Sequence, residues 1–62
     1  MCEANAYVIK DGKEELIMTG VDILRPDEGK IYIQDIFGEQ RWVKGRIMEM
    51  NLIQHRIVLA ED

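Results

Sequence analysis

The chain contains one cysteine, one proline, one histidine, one phenylalanine and one tryptophan among its 62 residues. A lone cysteine excludes an internal disulfide, the usual staple of so small a protein, and leaves a metal or a second subunit to take that role. A lone histidine, no glycine-rich phosphate loop and no carboxylate pair fixed by spacing offer little to catalysis. Glu14 and Glu15 are neighbours on an alternating strand and point to opposite faces. Cys2 and His55, taken as nucleophile and base, lack an orienting third group. The chain therefore does not read as an enzyme. No apolar run approaches the ~18 residues of a membrane span, and no signal-peptide pattern opens the chain. It reads as a cytoplasmic protein with no membrane partner. Eight Lys and Arg against twelve Asp and Glu give a net charge of −4, which disfavours RNA as a partner.

What the chain has in quantity is β-branched residues. Nine Ile and four Val stand against four Leu and three Ala, a balance that suits a pleated surface better than a helix. Turn signals recur every eight to twelve residues, the spacing of a small barrel or sandwich. Asp11-Gly12 is the strongest, a two-residue hairpin signal. Residues 26–29, Pro-Asp-Glu-Gly, and 37–40, Phe-Gly-Glu-Gln, supply two more. The predicted strands cover residues 4–10, 14–19, 21–25, 30–36, 41–50 and 56–60. Val21 and Ile23 fall on one face of the third; Ile31 and Ile33 face away from Tyr32 and Gln34 on the fourth. Gly45 inside the long strand predicts a bulge or bend. Ile47, Met50 and Ile53 also fit a short helix over 46–54, a competing reading. The expectation is one all-β domain over residues 1–62, a small SH3-like or Sm-like antiparallel barrel of five to six short strands.

Cys2 is the residue with the most distinctive chemistry. Free cysteines usually pack as small hydrophobes, whereas this one sits beside the N-terminus. There its thiolate, its own amide nitrogen and the backbone nitrogen of Met1 can close successive five-membered chelate rings on one ion. Nitrogen and thiolate donors in a plane suit Ni(II) or Cu(II), whereas structural Zn(II) prefers four tetrahedral ligands. One chain offers one thiolate; a two-fold dimer offers two and completes an S₂N₂ square.

The opening MCEANAYVIKDGKEELIM, the middle IFGEQ and the following VKGRI resemble the CooT-like family. Its members are small nickel-binding accessory proteins of carbon monoxide dehydrogenase maturation that also carry a predicted RNA-binding label. The likeness runs through nearly the whole chain. It implies a small β-barrel, a homodimer that the metal can stabilise, and Ni(II) bound through the cysteine after the initiator methionine. That role maps onto Cys2 and onto no other position. It also implies a metallochaperone serving carbon monoxide dehydrogenase or its maturation factors.

His55, the one imidazole, is a second candidate ligand, but its place in a turn over residues 51–55 fits a solvated side chain better. Met48 and Met50 fall on one strand face; thioethers favour Cu(I), and gap-filling packing explains them as well. Arg41, Lys44, Arg46 and Arg56 with Trp42, Tyr32 and Phe37 make the case for the alternative, an RNA-binding or protein-interaction module in which Cys2 is incidental.

Overall fold

Asp11 and Gly12 take positive φ of 53° and 77°, the type I′ geometry that matches strand twist, and Lys10 pairs with Lys13 across them. Glu28 and Gly29 repeat the arrangement at 48° and 80°, with Asp27 paired to Lys30. These two tight hairpins sit in a computed structural model that describes residues 3–62; Met1 and Cys2 lie outside the described residues. Five strands form: β1 (Ala4–Lys10), β2 (Lys13–Asp27), β3 (Lys30–Asp35), β4 (Gln40–Asn51) and β5 (Arg56–Glu61). They close into a barrel in the order β1-β2-β3-β4-β5.

The all-β small barrel is the expected one, with two differences of detail. The four hairpin ladders are antiparallel, but the ladder closing the ring, β1 on β5, is parallel. Five strands joined by hairpins alternate in direction, so the first and fifth point the same way and can close only in parallel. The second difference is strand length. Residues 14–19 and 21–25 are not two strands but parts of β2, which runs through Gly20. Its first half pairs with β1 and its second with β3. β4 is shared likewise: Gln40 through Lys44 pair with β3, and from Gly45 onward it pairs with β5. The short helix over 46–54 does not form; β4 continues to Asn51 and a turn follows. Tertiary pairing with β5 satisfies this backbone, which an isolated two-turn helix could not do alone.

Pro26 lies within β2 rather than in the turn. It pairs with Ile31, one step beyond the Asp27/Lys30 pair that closes the hairpin. In antiparallel ladders that second pair exchanges no hydrogen bonds, so the absent N–H costs the sheet nothing there.

The inner face is filled by Ala4, Ala6 and Val8, Met18 and Val21, Ile31 and Ile33, Val43, Ile57 and Leu59, with Ile33 and Leu59 fully enclosed. Val21 and Ile23 do not share a face. A register shift between them leaves Asp22 unpaired, and Leu24 instead packs on the core beside Ile33. Ile23 pairs with Gln34 and joins the outer face. Val58 is buried on the outside, between Tyr7 of β1 and Glu49 of β4. A clasp crosses Tyr7: the Arg56 guanidinium lies 4.6 Å from the ring and pairs with the Glu14 carboxylate. The hydrogen bond to Glu14 raises the pKa of Arg56 above its ordinary value.

Gly45 is the tightest point of the barrel. Its φ is 152°, and a Cβ there would stand 1.9 Å from the Ala60 carbonyl oxygen. Gly12, with φ of 77°, has open space around it. Gly45→Ala is therefore expected to destabilise by about 3 kcal/mol or more, because backbone must move. Gly12→Ala should cost about 1 kcal/mol, from conformational strain alone. Urea denaturation midpoints of the two variants check this; equal losses would contradict the role given to the β4 corner.

Candidate functional site

The start of β1 is built into one end of the barrel. The Asn5 N–H donates to the His55 carbonyl at 2.8 Å, and Ala4 pairs with Val21, whose other neighbour is Asp35. The turns over residues 36–39 and 52–55 therefore meet at the end that carries Glu3, the first described residue. The 36–39 turn is stiffened locally. The Asp35 carboxylate accepts from the N–H groups of Phe37 and Glu39, both at 2.9 Å, while the Ile36 N–H donates to the Gly20 carbonyl. A groove at this end has Glu3 and Asn5 on one side and Ile36 and Phe37 on the other. Phe37 is 87% exposed and Ile53, in the neighbouring turn, 92%. The two most exposed large apolar side chains thus lie in the turns at the end that carries Glu3.

Cys2 and the backbone nitrogens of Met1 and Cys2, the predicted metal donors, lie outside the described residues. His55 is where the sequence placed it, exposed in the turn before β5, with a left-handed φ of 57°. The sequence did not reveal that this turn hydrogen-bonds to the start of β1, because the contact spans fifty residues. Among the described residues no three His, Cys, Asp or Glu side chains converge as a metal cluster. Met48 stands at a register shift between Ile47 and Glu49, and Met50 pairs with Ile57 at the edge of the core. The shift breaks the simple alternation that would align the two thioethers.

The aromatic and basic residues divide into separate groups. Tyr32 and Trp42 pair across β3 and β4, ring centroids 5.2 Å apart and tilted by 57°. The cations beside them are Arg25, 5.6 Å above Tyr32, and Lys30, 5.6 Å from Trp42. Lys44 pairs with Lys30 on the same face. Arg56 belongs instead to the Tyr7 clasp, and Phe37 to the groove beside Glu3. Arg41 pairs with Ile33 and Arg46 with Ala60, so neither flanks the ring pair. Sequence reading missed Arg25 and Lys30. The two-residue turn at Glu28-Gly29 was the available signal, since it fixes Arg25 opposite Tyr32 and leaves Lys30 two residues from that ring.

The family model described as CO dehydrogenase accessory protein CooT matches residues 1–60. An uncharacterized protein of Archaeoglobus fulgidus is 47% identical over 33 residues, which span 53% of this chain and 73% of that protein. A crystal structure of a protein assigned as CooT from Carboxydothermus hydrogenoformans superposes with a TM-score of 0.88 at 38% identity, covering 98% of both chains.

Asp35 should be needed to hold the 36–39 turn against the groove. Asp35→Ala is expected to cost about 1–2 kcal/mol, the net value of two hydrogen bonds to a partly solvated carboxylate, and Asp35→Asn clearly less. Thermal unfolding of the two variants, with amide exchange at Phe37 and Glu39, measures it; unchanged protection in the alanine variant would count against this role.

Proposed function

The chain belongs to the CooT family of CO dehydrogenase accessory proteins, and from that premise we propose that it carries Ni(II) for the enzyme as a non-catalytic metallochaperone. The ion is held between two copies of the chain by their Cys2 thiolates, with one backbone nitrogen from each chain, of Met1 or Cys2, as the remaining donors. The observation that carries this reading is that the family match begins at residue 1 and so includes the chain's one thiol. Two further facts support it. The groove lined by Glu3, Asn5, Ile36 and Phe37, with the Phe37 ring exposed on it, offers a second copy something to cover next to Glu3. A nitrogen and thiolate donor set in one plane also suits the d⁸ ion.

Carriage rather than storage follows from the donors. Ligands supplied by a chain terminus can be exchanged one at a time for those of a receiving protein, without unfolding the barrel. The protein works in the reducing cytoplasm, because two thiols near enough to share an ion are near disulfide distance, and oxidation would close the site.

Native mass spectrometry should find one Ni(II) per dimer, and Cys2→Ser should abolish both the ion and its sulfur-to-nickel charge-transfer absorption while leaving the fold intact. One tightly held ion on each monomer would overturn the shared site. Both thiols must lose protons that ordinarily leave near pH ~8.5, and each coordinating backbone nitrogen must lose one too, so affinity should rise about a hundredfold or more per pH unit between pH 6 and 8. Calorimetry across that range, with reductant and after mild oxidation, checks the sign. Affinity indifferent to both would exclude the thiolates.

A further inference from the structure

The outer face of β2, β3 and β4 is laid out in rows by the register. Arg25, Tyr32 and Trp42 form one row, and Asp27, Lys30 and Lys44 the next toward the 28–29 turn. Trp42, the only tryptophan of the chain, is 54% exposed there. A groove beside it is lined by Arg25, Pro26, Asp27, Tyr32 and Trp42. The two rings brace each other and each lies beneath a cation, so their rotamers are largely set before any partner arrives.

Two features of this face are costly to the free protein. Half-exposed tryptophan loses hydrophobic stabilisation. Lys30 and Lys44 stand directly opposite each other, where like charges repel. Neither lysine nor Arg25 has a carboxylate within ion-pair distance among the described residues, where the one ion pair is Glu14 with Arg56. Three cations and Asp27 give the face a net +2 in a chain whose total is −4, leaving −6 for everything else. An acidic protein is therefore repelled by most of this surface and drawn to one part of it. Tryptophan, tyrosine and arginine are also the residue types that dominate protein–protein binding energy. A polyanionic nucleic acid fits less well, since three cations neutralise at most three phosphates with Asp27 among them and the remaining −6 opposing.

We propose that this face, centred on Trp42 with Arg25, Lys30 and Lys44, docks an acidic surface of the protein that the chain serves. This rests on the reading of the chain as an accessory protein of CO dehydrogenase, but not on nickel binding. The third row, Ile23, Gln34 and Gln40, borders the 36–39 turn. A partner seated on the face thus abuts the end that carries Glu3 without occupying the groove lined by Glu3, Asn5, Ile36 and Phe37.

The test titrates nickel-free CO dehydrogenase from the same organism into the full-length chain. Binding is followed by emission of Trp42, with calorimetry for variants that lack it. Saturable binding with a blue shift is expected, weakening as salt rises from 50 to 300 mM. Trp42→Ala should lower affinity about 30-fold or more, the loss expected of a central anchor. The double variant Lys30→Glu, Lys44→Glu should lower it about 10-fold or more, and it keeps the question open to measurement if the alanine variant unfolds. Both folded variants should take up nickel as the parent does, whereas Cys2→Ser should dock normally and carry none. Wild-type affinity in the charge-reversed variant would overturn the proposal. So would saturable quenching of Trp42 by single-stranded RNA with no response to the enzyme. An unsubstituted chain that takes up nickel but shows no saturable binding to the enzyme removes this inference alone; one that binds the enzyme but takes up no nickel removes only the metal reading.

Discussion

The parallel ladder between β1 and β5 is the contact on which the rest of the molecule depends. An open five-stranded meander of this size would leave two unpaired strand edges and expose the inward faces of Ala6, Val8, Ile57 and Leu59. Joining Asn5 through Ile9 to Arg56 through Ala60 removes both edges and encloses Leu59 completely. The price is topological: the closing residues lie about fifty apart in sequence, so the ladder can form only after the hairpins between them have brought its strands together. Its reward is functional as well as energetic. It fixes the first strand at both sides, and so decides which end of the barrel carries the chain's start.

Closure in turn requires two corners. β2 and β4 are each long enough to serve two neighbours, and each changes partner near a glycine, Gly20 or Gly45. At Gly45 the approach to Ala60 is so close that no side chain fits. At Gly20 the backbone carbonyl receives the Ile36 N–H, tying the corner to the 36–39 turn. The corners split the outer surface into two faces of different character. One carries the Tyr7, Arg56 and Glu14 clasp, whose charges are paired and whose work is to cover Val58. The other carries Tyr32 and Trp42 beneath cations that, among the described residues, no carboxylate pairs with. A barrel this small has almost no interior to spare, and its distinctive side-chain groupings lie on its outer wall.

Much of this was legible in local sequence. Asp11-Gly12 read as a tight hairpin because both residues tolerate positive φ, and that conformation is a property of the residues themselves. The inward direction of Ile31 and Ile33 followed from alternation over a strand with no bulge in it. Val21 and Ile23 failed the same rule because the extra residue Asp22 reverses the alternation, and nothing in the residue types announces it. For the site, Cys2 stood out by being the one thiol of the chain, a matter of composition. The basic and aromatic residues were named in part but grouped wrongly. Arg56 and Phe37 proved to belong to other groups, while Arg25 and Lys30, left out, lie over Tyr32 and Trp42.

The amino-acid sequence by itself determined the strand content, the two tight turns, the absence of an internal disulfide and the identity of the one thiol, because each depends on a residue's own stereochemistry or on composition. Tertiary structure decided which strands share partners, that the ring closes in parallel, and that the turn holding His55 lies against the start of β1. It also decided that Arg25 lies over Tyr32 and Lys30 over Trp42, with Arg56 elsewhere. Those outcomes depend on register, and register is set by where bulges and corners fall when the whole ring closes around a common core, a condition that no local stretch of sequence contains.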